Sequence, residues 1–119
     1  MEWKLDDNRP IWIQLKEQLT RKILSGWYHA GEKLPSVREL AAEAGVNPNT
    51  MQRALAGLDM EGLTVTNRTM GRTVTEDQAV IEGMRGSLAE GIIRQFYESA
   101  AELGYTKAQA LELLKRRDG

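Results

Sequence analysis

Cysteine is missing from all 119 residues, which excludes disulfides and thiolate metal sites and agrees with a reducing compartment. Histidine is nearly missing too. His29 stands alone in the loop WYHAGEK, outside any catalytic pattern, and reads as a surface residue. No apolar run approaches the roughly 18 residues of a membrane helix, and MEWKLDDNRP lacks the basic and apolar regions of a signal peptide. A cytoplasmic protein with no membrane partner is expected. Glycine-rich phosphate loops and acid pairs at metal or general acid/base spacing are also lacking, so no enzyme activity, cofactor or metal is expected. Net charge is scarce, at −1, which leaves attraction to nucleic acid to local patches and keeps open a second reading, a protein-interaction module without a nucleic-acid ligand. What is present is globular: 41% hydrophobic and 28% charged residues, enough for one core or a small domain with an appendage.

The most structured stretch is LPSVRELAAEAGVNPNTMQRALAGLDMEG, residues 34–62. Ser36 with Glu39 spells a capping box, Val37, Leu40, Ala41 and Ala44 form one apolar stripe, and Gly45 supplies a left-handed stop. Asn47 caps a second helix with Pro48 in its first position, where the missing amide hydrogen costs nothing. Met51, Leu55 and Leu58 face inward. Asn49, Arg53 and Ala56 fall on the opposite face, flanked by Thr50 and Gln52. Two helices about a tight turn, the second opening on Asn, Thr, Gln and Arg, form the helix-turn-helix arrangement whose second helix reads the major groove. Arg38, Asn49, Gln52 and Arg53 suit base edges, whereas Thr50 and Lys33 suit phosphate; Ser36 is counted with this DNA-binding set.

Upstream, Trp3 and Leu5 alternate with polar residues, as in a short strand or an extended arm. From Pro10, Ile11, Trp12, Leu15, Leu19 and Ile23 recur at helical spacing until Gly26, giving a helix that covers the hairpin. Core roles are expected for Trp12 and Trp27. Past Gly62 the period becomes alternating: Leu63–Val65 and Thr73–Thr75 flank NRTMGR, a hairpin in which Gly71 permits positive φ and Arg68 or Arg72 could enter a minor groove or hold phosphate. Attached to a helix-turn-helix, such a hairpin is a wing. Residues 1–75 hold 10 basic against 9 acidic residues, and 76–119 hold 6 against 8, so Lys33, Arg38, Arg53, Arg68 and Arg72 must supply the attraction, twice over in a dimer.

The succession PIWIQL, ILSGWYHAGEKLPSVRELAAEAGVNPNTMQRAL and GLTVTNRTMGRTV resembles the winged-helix DNA-binding domain of the GntR family of bacterial transcription regulators, over about residues 9–75. The resemblance implies that Arg38 reaches DNA from the first helix of the motif. It also implies that Asn47, Pro48, Asn49 and Thr50 hold recognition-helix positions and that Gly71 and Arg72 occupy the wing tip. The chain departs from the family pattern at Thr69, Met70 and Thr73, where glycine, a basic residue and phenylalanine are usual.

Beyond the wing, Thr75 with Gln78 spells a second capping box, followed by Val80, Met84, Leu88, Ile92, Phe96 and Ala100 at four-residue spacing. A helix of about 28 residues would span roughly 42 Å, more than the winged domain needs. Gly83, Gly86 and Gly91 lie inside it, either as a ridge for close helix packing or as tolerated solvent-facing residues. Thr106 with Gln109 opens a last helix carrying Leu111, Leu113 and Leu114. This helical hairpin is too small to wall a metabolite pocket, so no small-molecule effector is assigned. It suits a two-fold interface through Val80, Met84, Leu88, Ile92, Phe96, Leu111 and Leu114. The short tail resembles that of the YtrA subfamily, which implies dimerisation. The expected fold is mostly α with a small β-hairpin: a winged helix-turn-helix domain at 1–75, then an α-helical dimerisation hairpin at 76–119. The expected function is a sequence-specific DNA-binding transcription regulator, a homodimeric repressor on a palindromic operator.

Overall fold

The structure, a computed structural model, describes residues 2–117. Along these run α1 (Ile11–Leu24), α2 (Val37–Ala44), α3 (Pro48–Met60), β1 (Thr64–Asn67), β2 (Gly71–Val74), α4 (Gln78–Glu102) and α5 (Lys107–Arg117). The chain divides into two compact units, Met1–Glu82 and Gly83–Gly119. It is mostly helical with one β-hairpin, as expected.

The first unit is built on α3, against which α1, α2 and β1 pack. Leu15, Leu19, Leu40, Met51, Leu55, Leu58 and Leu63 are fully buried there, each worth about 1.5 to 3 kcal/mol of burial. α2 starts as the sequence dictates: the Ser36 hydroxyl accepts from the Glu39 amide at 3.1 Å and the Glu39 carboxylate accepts from the Ser36 amide at 3.0 Å. Gly45 ends it at φ +71°. Asn47 caps α3, with Pro48 in the first turn.

No strand forms at Trp3 or Leu5; the segment is an extended arm. Two α1 glutamines stand in for a neighbouring strand. Gln18 both accepts from the Lys4 amide and donates to its carbonyl, at 3.0 and 2.7 Å. Gln14 accepts from the Asp6 amide at 2.9 Å and donates to the carbonyls of Asp6 and Arg9. The arm thereby lays Trp3 across Lys22, whose Nζ sits 3.9 Å from the ring centroid. Lys22 is 2% exposed, and burial lowers its pKa, partly opposed by Glu43.

Trp27 departs from its expected core role. It is 56% exposed, because Gly26 at φ +85° and the bond from the Tyr28 amide to the Lys22 carbonyl turn Tyr28 inward instead. Trp12 is half-buried, and His29 is exposed beside Glu32, as a surface residue should be.

β1 and β2 pair antiparallel, with Thr64 opposite Val74 and Thr66 opposite Arg72. A third strand-like piece went unread in the sequence. Gly31 and Leu34 donate to the carbonyls of Val74 and Arg72, and Val74 donates to that of Glu32, each at 2.9 Å. Residues 31–34 thus close the outer edge of β2.

α4 begins at Gln78, but not through a Thr75–Gln78 box. Asp77 accepts from the Ala79 amide at 3.0 Å, while the Thr75 hydroxyl accepts from the Asp77 amide. Asp77 lies within two residues of the free amide, so its short side chain wins. In the second unit Ala100 and Ala110 are buried where α4 meets α5, and Gly104 turns the chain at φ +95°. The Thr106–Gln109 box is present, at 2.9 and 3.1 Å.

Candidate nucleic-acid interface

A DNA-reading surface needs side chains that are exposed, donor-rich and held by a rigid frame. The first turn of α3 meets these terms. Asn47, Pro48, Asn49 and Gln52 are exposed and Thr50 half-exposed, while Met51, Ala54, Leu55 and Leu58 lock the other face into the core. Asn47 Oδ1 is itself occupied, accepting from the Asn49 amide at 2.7 Å. Arg38 is exposed in the first turn of α2. Ser36 holds that turn through its capping box, a structural task that leaves its hydroxyl hydrogen free to donate. Through the backbone Ser36 bond, aided by the Ser36 side chain and Lys33, the Glu39 carboxyl is held below its ordinary value.

Two arginines have partners within the chain: Arg53, exposed on the outward face as expected, and Arg72, which is drawn in contrary to its expected wing-tip role. The Arg53 guanidinium lies over Trp12 of α1, 4.2 Å from the ring centroid, so an exposed side chain is also held by a cation–π contact. Arg72 is not a free wing-tip group: Nε donates to Asp59 Oδ1 at 3.1 Å and Nη2 to Oδ2 at 2.9 Å, leaving the side chain 14% exposed. Thr64 and Thr66 donate to the same carboxylate. Burial alone would raise the Asp59 pKa, but Arg72 and the two threonines outweigh it and hold it below the ordinary aspartate value. Asp59 and Trp12 are the residues that sequence reasoning missed. The available signal for Asp59 was an acid in the last turn of α3, where the helix dipole disfavours one.

The wing tip is Arg68, Thr69 and Met70, all exposed. Asn67 Oδ1 accepts from the Met70 amide and the Thr69 hydroxyl, and Gly71 returns the chain into β2 at φ +79°. A Cβ on Gly71 would stand 3.4 Å from Lys33 Cε, an ordinary contact distance, so the positive φ is what calls for glycine; the Lys33 backbone forms an antiparallel bridge with Thr73. Lys33 is exposed.

Of the tail residues, Val80 belongs with the first unit, 3.8 Å from where a Gly62 Cβ would lie; its neighbour Ile81 is the buried residue, 5% exposed. Met84 and Phe96 are half-covered. Leu88, Ile92, Leu111 and Leu114 are exposed, with Ile93 beside them. Cβ atoms added at Gly83, Gly86 or Gly91 would meet nothing within 4 Å among the described residues.

Residues 13–74 match the family model described as "Bacterial regulatory proteins, gntR family". The HTH-type transcriptional regulator YhcF of Bacillus subtilis (strain 168) is 31% identical over 115 residues, 97% of this chain and 95% of that protein. The HTH-type transcriptional repressor YtrA of the same organism is 37% identical over 83 residues, 68% of this chain and 64% of that one. Among solved structures, a GntR family transcriptional regulator from Listeria monocytogenes is 37% identical, with a TM-score of 0.86 over 94% of this chain and 98% of its own.

Proposed function

The chain belongs to the gntR family of bacterial regulatory proteins and is a DNA-binding transcription regulator rather than an enzyme; from that premise we propose that it is a cytoplasmic homodimeric repressor of a palindromic operator. The observation that carries the reading is the first turn of α3, polar and exposed on one side and fully anchored on the other. Its N-terminus is also the positive end of a helix dipole, which favours approach to phosphate.

In this reading Arg38, Asn49 and Gln52 meet base edges, with Arg53 reaching the groove only by leaving Trp12. Thr50, Lys33 and the Ser36 hydroxyl hold phosphate, and Asn47 and Pro48 set the helix start. Arg68 enters the flanking groove from the wing, with Gly71 shaping the tip and Arg72 behind it. Repression follows the likeness to YtrA, named as a repressor: a bound head occludes polymerase. The winged domain spans about residues 1–75 and the tail from 76 dimerises. The exposed run of Leu88, Ile92, Leu111 and Leu114, with Met84 and Phe96 part-covered, is an apolar stripe that water alone covers poorly; Val80 would join only at its margin.

Selection of bound duplexes from random-sequence DNA, with sedimentation of free protein and complex, tests the whole reading. Half-sites about one helical turn apart and two chains per duplex are expected. A non-palindromic site bound by one chain refutes the dimer. Arg38→Ala should weaken binding to the selected duplex by about 1 to 3 kcal/mol without moving the melting temperature; unchanged affinity removes Arg38 from the interface.

A further inference from the structure

We propose that Asp59 is a positioning residue for DNA binding: by clamping Arg72, Thr64 and Thr66 it fixes the wing against the recognition helix, and so aims Arg68 at the DNA. The inference rests on the reading that the wing tip reaches a groove. Thr66 and Arg72 are direct cross-strand partners, and Thr64 lies two residues before Thr66, so one face of the hairpin delivers all three donors to one carboxylate. A guanidinium fork that meets both carboxylate oxygens sets orientation as well as distance. The pair is largely withdrawn from solvent, at 14% and 32% side-chain exposure, so salt screens it less than an ordinary surface pair.

The placement of Asp59 is costly unless it is used. It sits in the last turn of α3, where the helix dipole repels a carboxylate, and that turn contains no basic residue of its own. Arg72 supplies the missing cation from another element. In a chain of net charge −1 that must attract phosphate, a cation is thereby withheld from DNA and given to geometry. The free backbone edge of β2 is held as well, by residues 31–34. Between these two restraints only the tip, residues 68–70, projects.

The probe is a duplex selected by the wild-type chain from random-sequence DNA, at physiological salt. Hydroxyl-radical cleavage reports sugars covered by the wing, and dimethyl sulfate reports guanine N7 in the major groove. Asp59→Asn and Arg72→Gln are expected to lose the flanking sugar protection, keep the N7 protection, and bind about tenfold more weakly. Arg68→Ala should lose the same protection, and Asp59→Asn in that background should cost nothing further. Flanking protection that survives in both clamp variants, or costs that multiply with Arg68→Ala, overturns the proposal. A wild-type footprint without flanking protection overturns the wing reading first, and the clamp's role with it. Should Asp59→Asn fail to fold, Arg72→Gln carries the test, since it leaves Asp59 its two threonine donors.

Discussion

The start of the recognition helix hangs on one side-chain acceptor, and replacing it should separate stability from DNA affinity. Pro48 has no amide hydrogen, and the amides of Thr50 and Met51 donate to the Asn47 carbonyl at 3.0 and 3.1 Å. Asn49 is thus the first-turn amide that depends on a side chain, Asn47 Oδ1 at 2.7 Å. Asn47→Ala removes that acceptor at an exposed helix end, where water substitutes in part, so the loss should be about 1 kcal/mol. For a chain of this size that is about 3 to 5 °C in Tm. Asn47→Asp keeps the acceptor and adds a negative charge at the positive end of the dipole, worth about 0.3 to 1 kcal/mol, so its stability should match or exceed the wild type.

Toward DNA the order reverses. In the proposed complex the carboxylate introduced by Asn47→Asp would face phosphates and should reduce affinity about tenfold or more, whereas Asn47→Ala should lose less. Urea unfolding followed by circular dichroism at one protein concentration ranks the stabilities, since the proposed dimer would make midpoints concentration-dependent. Anisotropy titration with the selected duplex ranks the affinities. Should Asn47→Asp prove less stable than Asn47→Ala, the capping account of α3 is wrong.

Gly71→Val should cost about 1 to 3 kcal/mol in urea unfolding, because a β-branched residue is strained at φ +79°; a shift within error contradicts that account of the wing turn. Gly91→Ala, with open space around it in the chain, should raise stability by about 0.5 to 1 kcal/mol with dimerisation unchanged; a weaker dimer in sedimentation would instead assign the glycines to close helix packing. Asp59, Glu17 beside Arg9 and Glu39 in its capping box are all held below their ordinary pKa values. The stability they contribute is complete above the unfolded values, near pH 4, and is lost as pH falls through the folded ones. Urea midpoints should therefore fall steeply only below about pH 4, and Asp59→Asn should flatten that limb; an unchanged limb removes Asp59 from it.

What could be read from the sequence is what is decided within three or four residues. The boxes at Ser36–Glu39 and Thr106–Gln109, the left-handed stop at Gly45 and the Asn47–Pro48 start are local chemistry, and all appear in the structure. Thr75–Gln78 failed on the same scale, because Asp77 is a second cap candidate that the box pattern ignores. The rest is non-local. Arg72 finds Asp59 across 13 residues, Trp12 finds Arg53 across 41, and Gln18 holds a backbone segment 14 residues away. None of these pairs leaves a periodic trace, so the expected interface counted Arg72 as an outward group and left the partner of the outward-facing Arg53 unseen. Residues 31–34 are too short to alternate visibly, yet their backbone completes the wing's edge.

These internal commitments change how a chain of net charge −1 can hold DNA. Of five basic residues around the reading head, Arg72 is neutralised by Asp59, and Arg53 keeps its charge but lies on Trp12. Lys33, Arg38 and Arg68 are exposed and, among the described residues, form no salt bridge. Three or four effective cations per head give roughly six to eight displaced counterions for a pair of heads, and a log–log salt slope of about −5 to −7. A wild-type slope near −9 would require Arg72 to touch phosphate and would contradict its commitment to Asp59. Asp59→Asn frees that arginine in both heads, so its slope should steepen by about one to two units. The variant then approaches wild-type affinity in dilute buffer and falls behind as salt rises, exchanging shape recognition at the wing for bare charge.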